Sequence, residues 1–307
     1  MTIEKIEKIV VKCYEKELCY KKVQNNWTKE NPHLGMCAIT ALLVNDYKKG
    51  KIAKIKTNGI SHYFNIIDDK IIDLTKQQFK EKIEYSNYQI VERSQIETED
   101  TIKRYQLLKN KFIKERLKEI DQEIASCNHC KNLVEKFEHE TTVYLGKNND
   151  ILLIGEAPAN NGWRKSQMLW KNCSGKILPS GIILQKLFSI IKKDIFETTF
   201  LESVKCFPLE RKNLKICSKN CKEIMFQQIE TINPKLIITL GEFPTRNLLN
   251  FKFKKFQEVV GNFYIVNDYI ILPIYHPSPI SPQSYKGNLP IFEKLKENKY
   301  IKIRRKL

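Results

Sequence analysis

Ile151-Leu152-Leu153-Ile154-Gly155-Glu156-Ala157-Pro158 is an apolar run that breaks into a glycine, an acid and a proline, and it reads as a buried strand leaving its sheet through an abrupt turn. A second break of this kind follows Ile270-Ile271-Leu272-Pro273-Ile274, where Tyr275 leads into His276-Pro277-Ser278. Turns at the carboxyl ends of neighbouring parallel strands form one crevice, so an acid from the first break and an imidazole from the second would face the same ligand. Outward from these two strands the pattern alternates. A helix is predicted over 182–191, a strand over 200–204, a helix over 222–229, a strand over 235–240 and a helix after Gly241. Alternation of this kind predicts an α/β domain over 127–307, three layers with a mainly parallel sheet.

The N-terminal part is patterned differently. Ile3, Ile6, Ile9, Val10, Cys13 and Tyr14 share one helical face, a Trp27-containing loop follows, and a second helix is predicted from Cys37 to Tyr47. Short Ile-rich strands come next at 52–55, 62–67 and 71–74, and Asp68-Asp69 separates the last two as a hairpin turn would. Residues 1–98 thus read as a small α+β domain. Residues 99–126 lack Pro and Gly and carry Tyr105, Leu108, Phe112, Leu117, Ile120 and Ile124 at three- and four-residue spacing, which predicts a connecting helix.

The formal charge of +18 is unevenly placed: 17 Lys and Arg face 15 Asp and Glu in residues 1–100, so the surplus belongs to the C-terminal part. A basic surplus favours a polyanion, so on charge alone DNA or RNA comes first and an anionic membrane second, while lysine runs are also the solvated faces of ordinary helices. No run approaches the ~20 apolar residues of a membrane span, and the acids of the first residues do not suit a signal peptide. A cytoplasmic protein is expected, with no membrane and no obligate protein partner. Its nine cysteines then point to metal, catalysis or burial rather than disulfides.

Cys127-x2-Cys130 and Cys206-x14-Cys221 make two pairs, and four thiolates suit a [4Fe–4S] cluster. Zinc also takes four cysteines but usually from two close pairs, and Cys217-x3-Cys221 would supply such a second pair. Both metals, and unligated thiols, stay open on spacing alone.

Gly155-Glu156-Ala157-Pro158, the four cysteines, Pro234-Lys235-Leu236-Ile237-Ile238, Leu240-Gly241 and His276-Pro277-Ser278 occur in an order that resembles the uracil-DNA glycosylase superfamily, in particular its iron–sulfur branch, across roughly residues 127–295. In that branch the fourth cluster ligand precedes a helix carrying Gln-Ile seven residues later, matched here by Cys221 and Gln228-Ile229. The resemblance therefore implies a cluster on Cys127, Cys130, Cys206 and Cys221, a staple with no redox step. It implies a DNA glycosylase for uracil or a modified base, on single- or double-stranded DNA. His276 would donate to the base oxygen where negative charge develops, and Glu156 would orient water or stabilise the cationic sugar. The backbone of Glu156 and Ala157 would add amide donors. Trp170, with Trp163 second, would stack on the flipped base. The proline-stiffened loop from Pro277 through Ser278 to Pro282 would enter the minor groove with Ile280 as its wedge. Lys205, with Lys171, Lys176, Arg211, Lys212 and Lys286, would contact phosphates.

Glu202 departs from the pattern. In the uracil-excising branch an Asn at this place, four residues before the third cluster cysteine, reads the base edge. An ionised carboxylate accepts only, whereas an amide donates and accepts. Either Glu202 is protonated or the base presents donors of its own, as a modified cytosine does, and the stretch 160–178 would widen the pocket for it. The glycine and acid pair that usually follow the first motif are also missing from Ala159-Asn160.

Pro32-His33-Leu34-Gly35-Met36-Cys37-Ala38-Ile39-Thr40-Ala41-Leu42, Ser61-His62-Tyr63-Phe64-Asn65 and Ile72-Asp73-Leu74-Thr75 resemble the YunG-like family, which brings no activity with it. Cys37 opens a helix, where the macrodipole favours negative charge. A turn at Asp68-Asp69 sets Phe64 opposite Asp73, so His62 and Asp73 share a face as diagonal neighbours. Cys37, His62 and Asp73 thus have the composition of a thiol-hydrolase triad, or else of a buried thiol beside a core histidine. Two further readings of the whole follow: a reader of modified bases that excises nothing, and a thiol hydrolase or acyltransferase tethered to DNA.

Overall fold

The computed structural model describes all residues except 58, 138–140, 297–302 and 305–307. The chain packs as two compact units, Met1–Lys118 and Glu119–Leu307. Among the described residues no helix is long and apolar enough to cross a membrane.

In the first unit, α1 (Ile3–Lys12) starts where the Thr2 hydroxyl accepts from the Lys5 amide at 3.3 Å, and it buries Ile6, Ile9 and Val10. Helix α2 (Cys37–Lys48) buries Ile39, Leu42 and Leu43 in the same core. Strands β1 (Lys51–Thr57), β2 (Ile60–Ile67), β3 (Lys70–Ile72) and β4 (Gln89–Val91) form an antiparallel sheet in the order β3-β2-β1-β4. Asp68 and Asp69 both take positive φ, +48° and +59°, the backbone of a tight hairpin turn whose twist matches the strands. That turn pairs Ile67 with Lys70, Ile66 with Ile71 and Asn65 with Ile72. Helix α3 (Glu99–Ser126) runs unbroken for 28 residues and gives Tyr105, Leu108 and Phe112 to the first core.

The second unit is built on β5 (Val134–Glu135), β6 (Val143–Tyr144), β7 (Asn148–Gly155), β8 (Thr198–Glu202), β9 (Phe207–Pro208), β10 (Leu236–Leu240), β11 (Phe263–Val266), β12 (Tyr269–Ile274) and β13 (Ile303–Arg304). Its helices are α4 (Trp163–Ser166), α5 (Pro179–Ile190), α6 (Leu214–Ile232), α7 (Glu242–Leu248) and α8 (Leu289–Lys296). Seven strands make one sheet in the order β13-β11-β12-β10-β7-β8-β6, while β5 and β9 pair separately. Strands β12, β10, β7 and β8 are parallel neighbours. Leu153, Ile238 and Leu272 lie in register across three of them, in one core cluster with residues of α5 and α8. Leu152, Ile237 and Ile271 alternate to the other face and are equally buried, so both faces are covered, as their unbroken apolar runs require.

Three features differ from the sequence expectations. Strand β11 and its hairpin to β12, turned by Asn267 and Asp268 at φ +49° and +66°, add an antiparallel margin. Strand β8 ends at Glu202 rather than Val204, because the next two amides fold back to the first motif's carbonyls. Helix α6 begins at Leu214, not Lys222, so Cys221 lies inside the helix rather than before it. Leu214, Cys217, Cys221 and Met225 are the reason: together they make a buried stripe at helical spacing.

Candidate active site

Strands β12, β10, β7 and β8 end on one side of the sheet at Ile274, Leu240, Gly155 and Glu202. Beyond those ends lies a cavity of about 670 Å³ whose walls include Glu156, Ala157, Trp163, Trp170, Glu202, His276 and Ser278. Placement at parallel strand ends is what four adjacent parallel strands impose on the loops that follow them.

The first motif is pinned by its neighbour. The Ser203 and Val204 amides donate to the carbonyls of Gly155 and Glu156 at 2.9 and 3.0 Å, and Ser203 Oγ adds a third bond to Gly155 at 3.0 Å. A side chain at position 155 would come within 3.0 Å of the Phe200 ring, which only glycine avoids. The Glu156 carboxylate, held this way, receives both arms of Arg211, Nη1 at 3.0 Å and Nη2 at 3.3 Å. Arg211 is 81 % exposed, so the fork closes over Glu156 from the solvent side.

His276 opens onto the cavity from the turn after β12. Desolvation by the walls lowers its pKa, Glu156 opposes that shift and Arg211 adds to it. The imidazole is therefore neutral near pH 7, with one N–H to give. Gly241 caps α7 at φ +97°, and a Cβ there would meet His276 Cβ at 3.0 Å. We expect Gly241→Ala to cost about 1–3 kcal/mol of stability through the positive φ and to displace His276, read as a lower melting temperature together with slower turnover. Unchanged values of both would mean that this approach does not set the histidine.

Glu202 is 3 % exposed. Trp163 Nε1 donates to its Oε1 at 2.5 Å, while Oε2 is buried with no hydrogen-bond partner among the described residues. Burial raises the Glu202 pKa against the opposing charges of Arg164 and Lys205, which favours the neutral acid. Lys205 corrects a sequence expectation. It is 1 % exposed and donates to the Glu202 carbonyl, and burial lowers its pKa to about 8. A lysine enclosed in this way cannot reach a phosphate. Arg164, 3 % exposed, closes the group by donating to the Lys205 carbonyl at 3.2 Å.

Trp163 and Trp170 both pack edge-on against Phe200, with centroids at 6.2 and 4.9 Å, and the three rings line the cavity. Trp170 holds a positive φ of +59°, and a Cβ on Gly181 would come within 2.7 Å of its own Cβ. Its indole Nε1 is buried without a hydrogen-bond partner among the described residues. Ser278 lines the cavity and Ile280, two residues on, is 91 % exposed at the loop tip.

A second cavity of about 250 Å³ is bordered by Cys127, Cys130, Cys206, Cys217 and Cys221. Burial, reinforced by the neighbouring thiols, raises Cys206 to about 11 and Cys217 to about 12. The Lys205 amide donates to the Cys221 sulfur and Asn220 Nδ2 to Cys130 Sγ at 3.4 Å. Among the described residues no three His, Cys, Asp or Glu side chains gather tightly enough to hold a metal ion. A single zinc needs sulfurs about 2.3 Å from one point, hence ~3.8 Å from one another. Five thiols border this one cavity, a donor set of the kind that thiolate-binding groups use.

Residues 143–299, just over half of the chain, match the family model of the uracil DNA glycosylase superfamily. The chain belongs to the uracil-DNA glycosylase superfamily. Similar proteins include the type-4 uracil-DNA glycosylases of Saccharolobus solfataricus, 30 % identical over 58 % of this chain and 84 % of that protein, and of Archaeoglobus fulgidus, 26 % identical over 54 % and 83 %. Residues 2–117 match the YunG protein family, and YunG of Bacillus subtilis is 34 % identical over 25 % of this chain and 67 % of that protein. The first unit belongs to that family.

In this glycosylase-superfamily unit, the structure brings Glu156, Ala157, Trp170, Glu202, His276 and Ser278 to one cavity, leaves Ile280 outside it, and buries Lys205 behind it. Sequence reasoning did not foresee the Arg211 fork on Glu156, Trp163 as the partner of Glu202, or Phe200 as the hub of the aromatic wall. Phe200 carried a signal, since residues two apart on a strand share a face and Phe200 stands two before Glu202.

Proposed function

We propose that the second unit is a DNA glycosylase that takes an extruded uracil into the cavity at the strand ends and hydrolyses its N-glycosidic bond. One observation carries the reading: Glu156, Glu202 and His276, from the ends of β7, β8 and β12, line a single cavity. As the bond breaks, the base departs as an anion and the sugar carbon becomes cationic. The neutral His276 donates to the base oxygen, and the Glu156 carboxylate faces the sugar and the attacking water. Water adds to the sugar carbon, its proton ends on the base, and an abasic site remains. The exposed Ile280 suits the space vacated by the extruded nucleotide.

Glu202 reads the base as a neutral acid. Its unpartnered Oε2 then carries a proton to donate to a carbonyl oxygen, while Oε1 retains acceptor capacity beside Trp163, so the acid does the work of an amide. The pKa is raised, so the neutral form persists below it and is lost as pH rises through it. Uracil excision should therefore decline on the alkaline side, and Glu202→Gln, which keeps a donor and an acceptor at every pH, should abolish that decline. A pH profile of excision for the two proteins checks this. The same alkaline limb in both would remove Glu202 from base reading.

We infer further that Cys127, Cys130, Cys206 and Cys221 hold a [4Fe–4S] cluster. It would tie the segment after α3 to the loop after β8 and to α6, a structural bond with no electron transfer in the reaction.

A further inference from the structure

We propose that the first unit carries a second catalytic site, in which Cys37 is the nucleophile, His62 its base and Asp73 the residue that orients the histidine, and that it cleaves acyl groups from amides, esters or thioesters. The three side chains come from separate elements. Cys37 is the first residue of α2, His62 lies within β2, and Asp73 follows β3. His62 Nε2 and Asp73 Oδ2 are 2.6 Å apart, with side chains 1 % and 2 % exposed. Cys37 lies close enough to the same imidazole to help raise its pKa.

What surrounds the pair exceeds what a packed core histidine needs. The Asp73 carboxylate receives Tyr85 Oη at 2.7 Å, the Thr75 amide at 2.9 Å and Thr75 Oγ1 at 3.1 Å, besides the imidazole. These bonds outweigh burial and hold Asp73 ionised, and the His62 pKa is raised to about 9. Phe79 meets the ring edge-on at 4.8 Å, and Gln78 Nε2 stands 3.3 Å from Nδ1, so the imidazole is fixed on both sides. The other two cysteines of this unit behave differently. Cys13 and Cys19 are buried, their pKa values are pushed up to about 12 and 11, and each donates to a backbone carbonyl. Cys37 is partly exposed and meets a histidine backed by a carboxylate, the arrangement that activates a thiol.

The step balances on these atoms. Nε2 is engaged by Asp73, so the thiol proton rests on Nδ1, the raised His62 pKa favours this imidazolium–thiolate pair, and the thiolate sulfur attacks the acyl carbon. The helix start has no side-chain cap, which leaves its first amides for the developing oxyanion. The amine, alcohol or thiol leaves with the proton from Nδ1, and a thioester forms on Cys37. Water then adds, gives its proton to Nδ1 and releases the carboxylic acid as the thiolate is restored.

The test is acetylation of the full chain by 4-nitrophenyl acetate, with peptide mass spectrometry of all nine cysteines. Expected are a burst of one nitrophenolate per chain, acetyl on Cys37 ahead of every other thiol, loss of the burst in Cys37→Ser, and Cys37 acetylation slowed ~10²-fold or more in His62→Gln. Cys37→Ser changes one atom and preserves the fold, so it remains informative if His62→Gln does not fold. Acetyl spread evenly over the thiols, or a burst that survives Cys37→Ser, would overturn the proposal.

Discussion

His276→Ala is expected to slow base release by about 10²–10³-fold while leaving DNA affinity nearly unchanged. The size follows from what an oxyanion-type donor supplies in a partly desolvated cavity. The imidazole is neutral, so it contributes a directed N–H rather than a charge, and that bond strengthens only as the base takes on negative charge. An interaction made in the transition state lowers kcat and kcat/KM together, whereas lost ground-state binding raises KM alone. Single-turnover release of uracil, compared with DNA binding measured by anisotropy, separates the two. A variant that binds ten times more weakly but cleaves at the wild-type rate would make His276 a docking residue.

The second large effect is expected at the cysteines. Protein prepared without oxygen should be brown and carry about four irons per chain, and Cys221→Ser should lose both colour and iron. Cys217→Ser should keep them. Five thiols border this cavity, and burial raises the pKa of Cys206, Cys217 and Cys221, so thiolates there need a metal group to take them. The loss is expected to loosen the whole unit, because the four proposed ligands sit after α3, after β8 and within α6. A colourless protein with one zinc, or iron lost from Cys217→Ser and kept by Cys221→Ser, would contradict this assignment.

The fold was legible where local chemistry and tertiary demand agree. Buried parallel strands need apolar residues on both faces, so Ile151–Ile154 and Ile270–Ile274 announce themselves, and Asp68-Asp69 is a turn that few other pairs would make. Strand β11 was not legible, because a strand of four residues leaves little periodicity. The early start of α6 was hidden because Cys217 and Cys221, weighed as ligands, are also the helix's apolar stripe. At the site, Glu156 and His276 could be named from motif order, but their surroundings could not. Arg211 reaches Glu156 across 55 positions and Trp163 reaches Glu202 across 39, separations that no spacing rule covers. Lys205 shows the opposite failure: a lysine in a basic chain suggests phosphate, and only packing reveals that its ammonium is enclosed.

The most direct test is free uracil released from a labelled oligonucleotide with one uracil, single- and double-stranded, by wild type and His276→Ala at equal concentration. Release by wild type with an abasic site left behind, and a loss of at least ~10²-fold in the variant, is the result predicted. Tight binding of the uracil strand with no base released by either protein would contradict the account and leave the cavity a reader of bases.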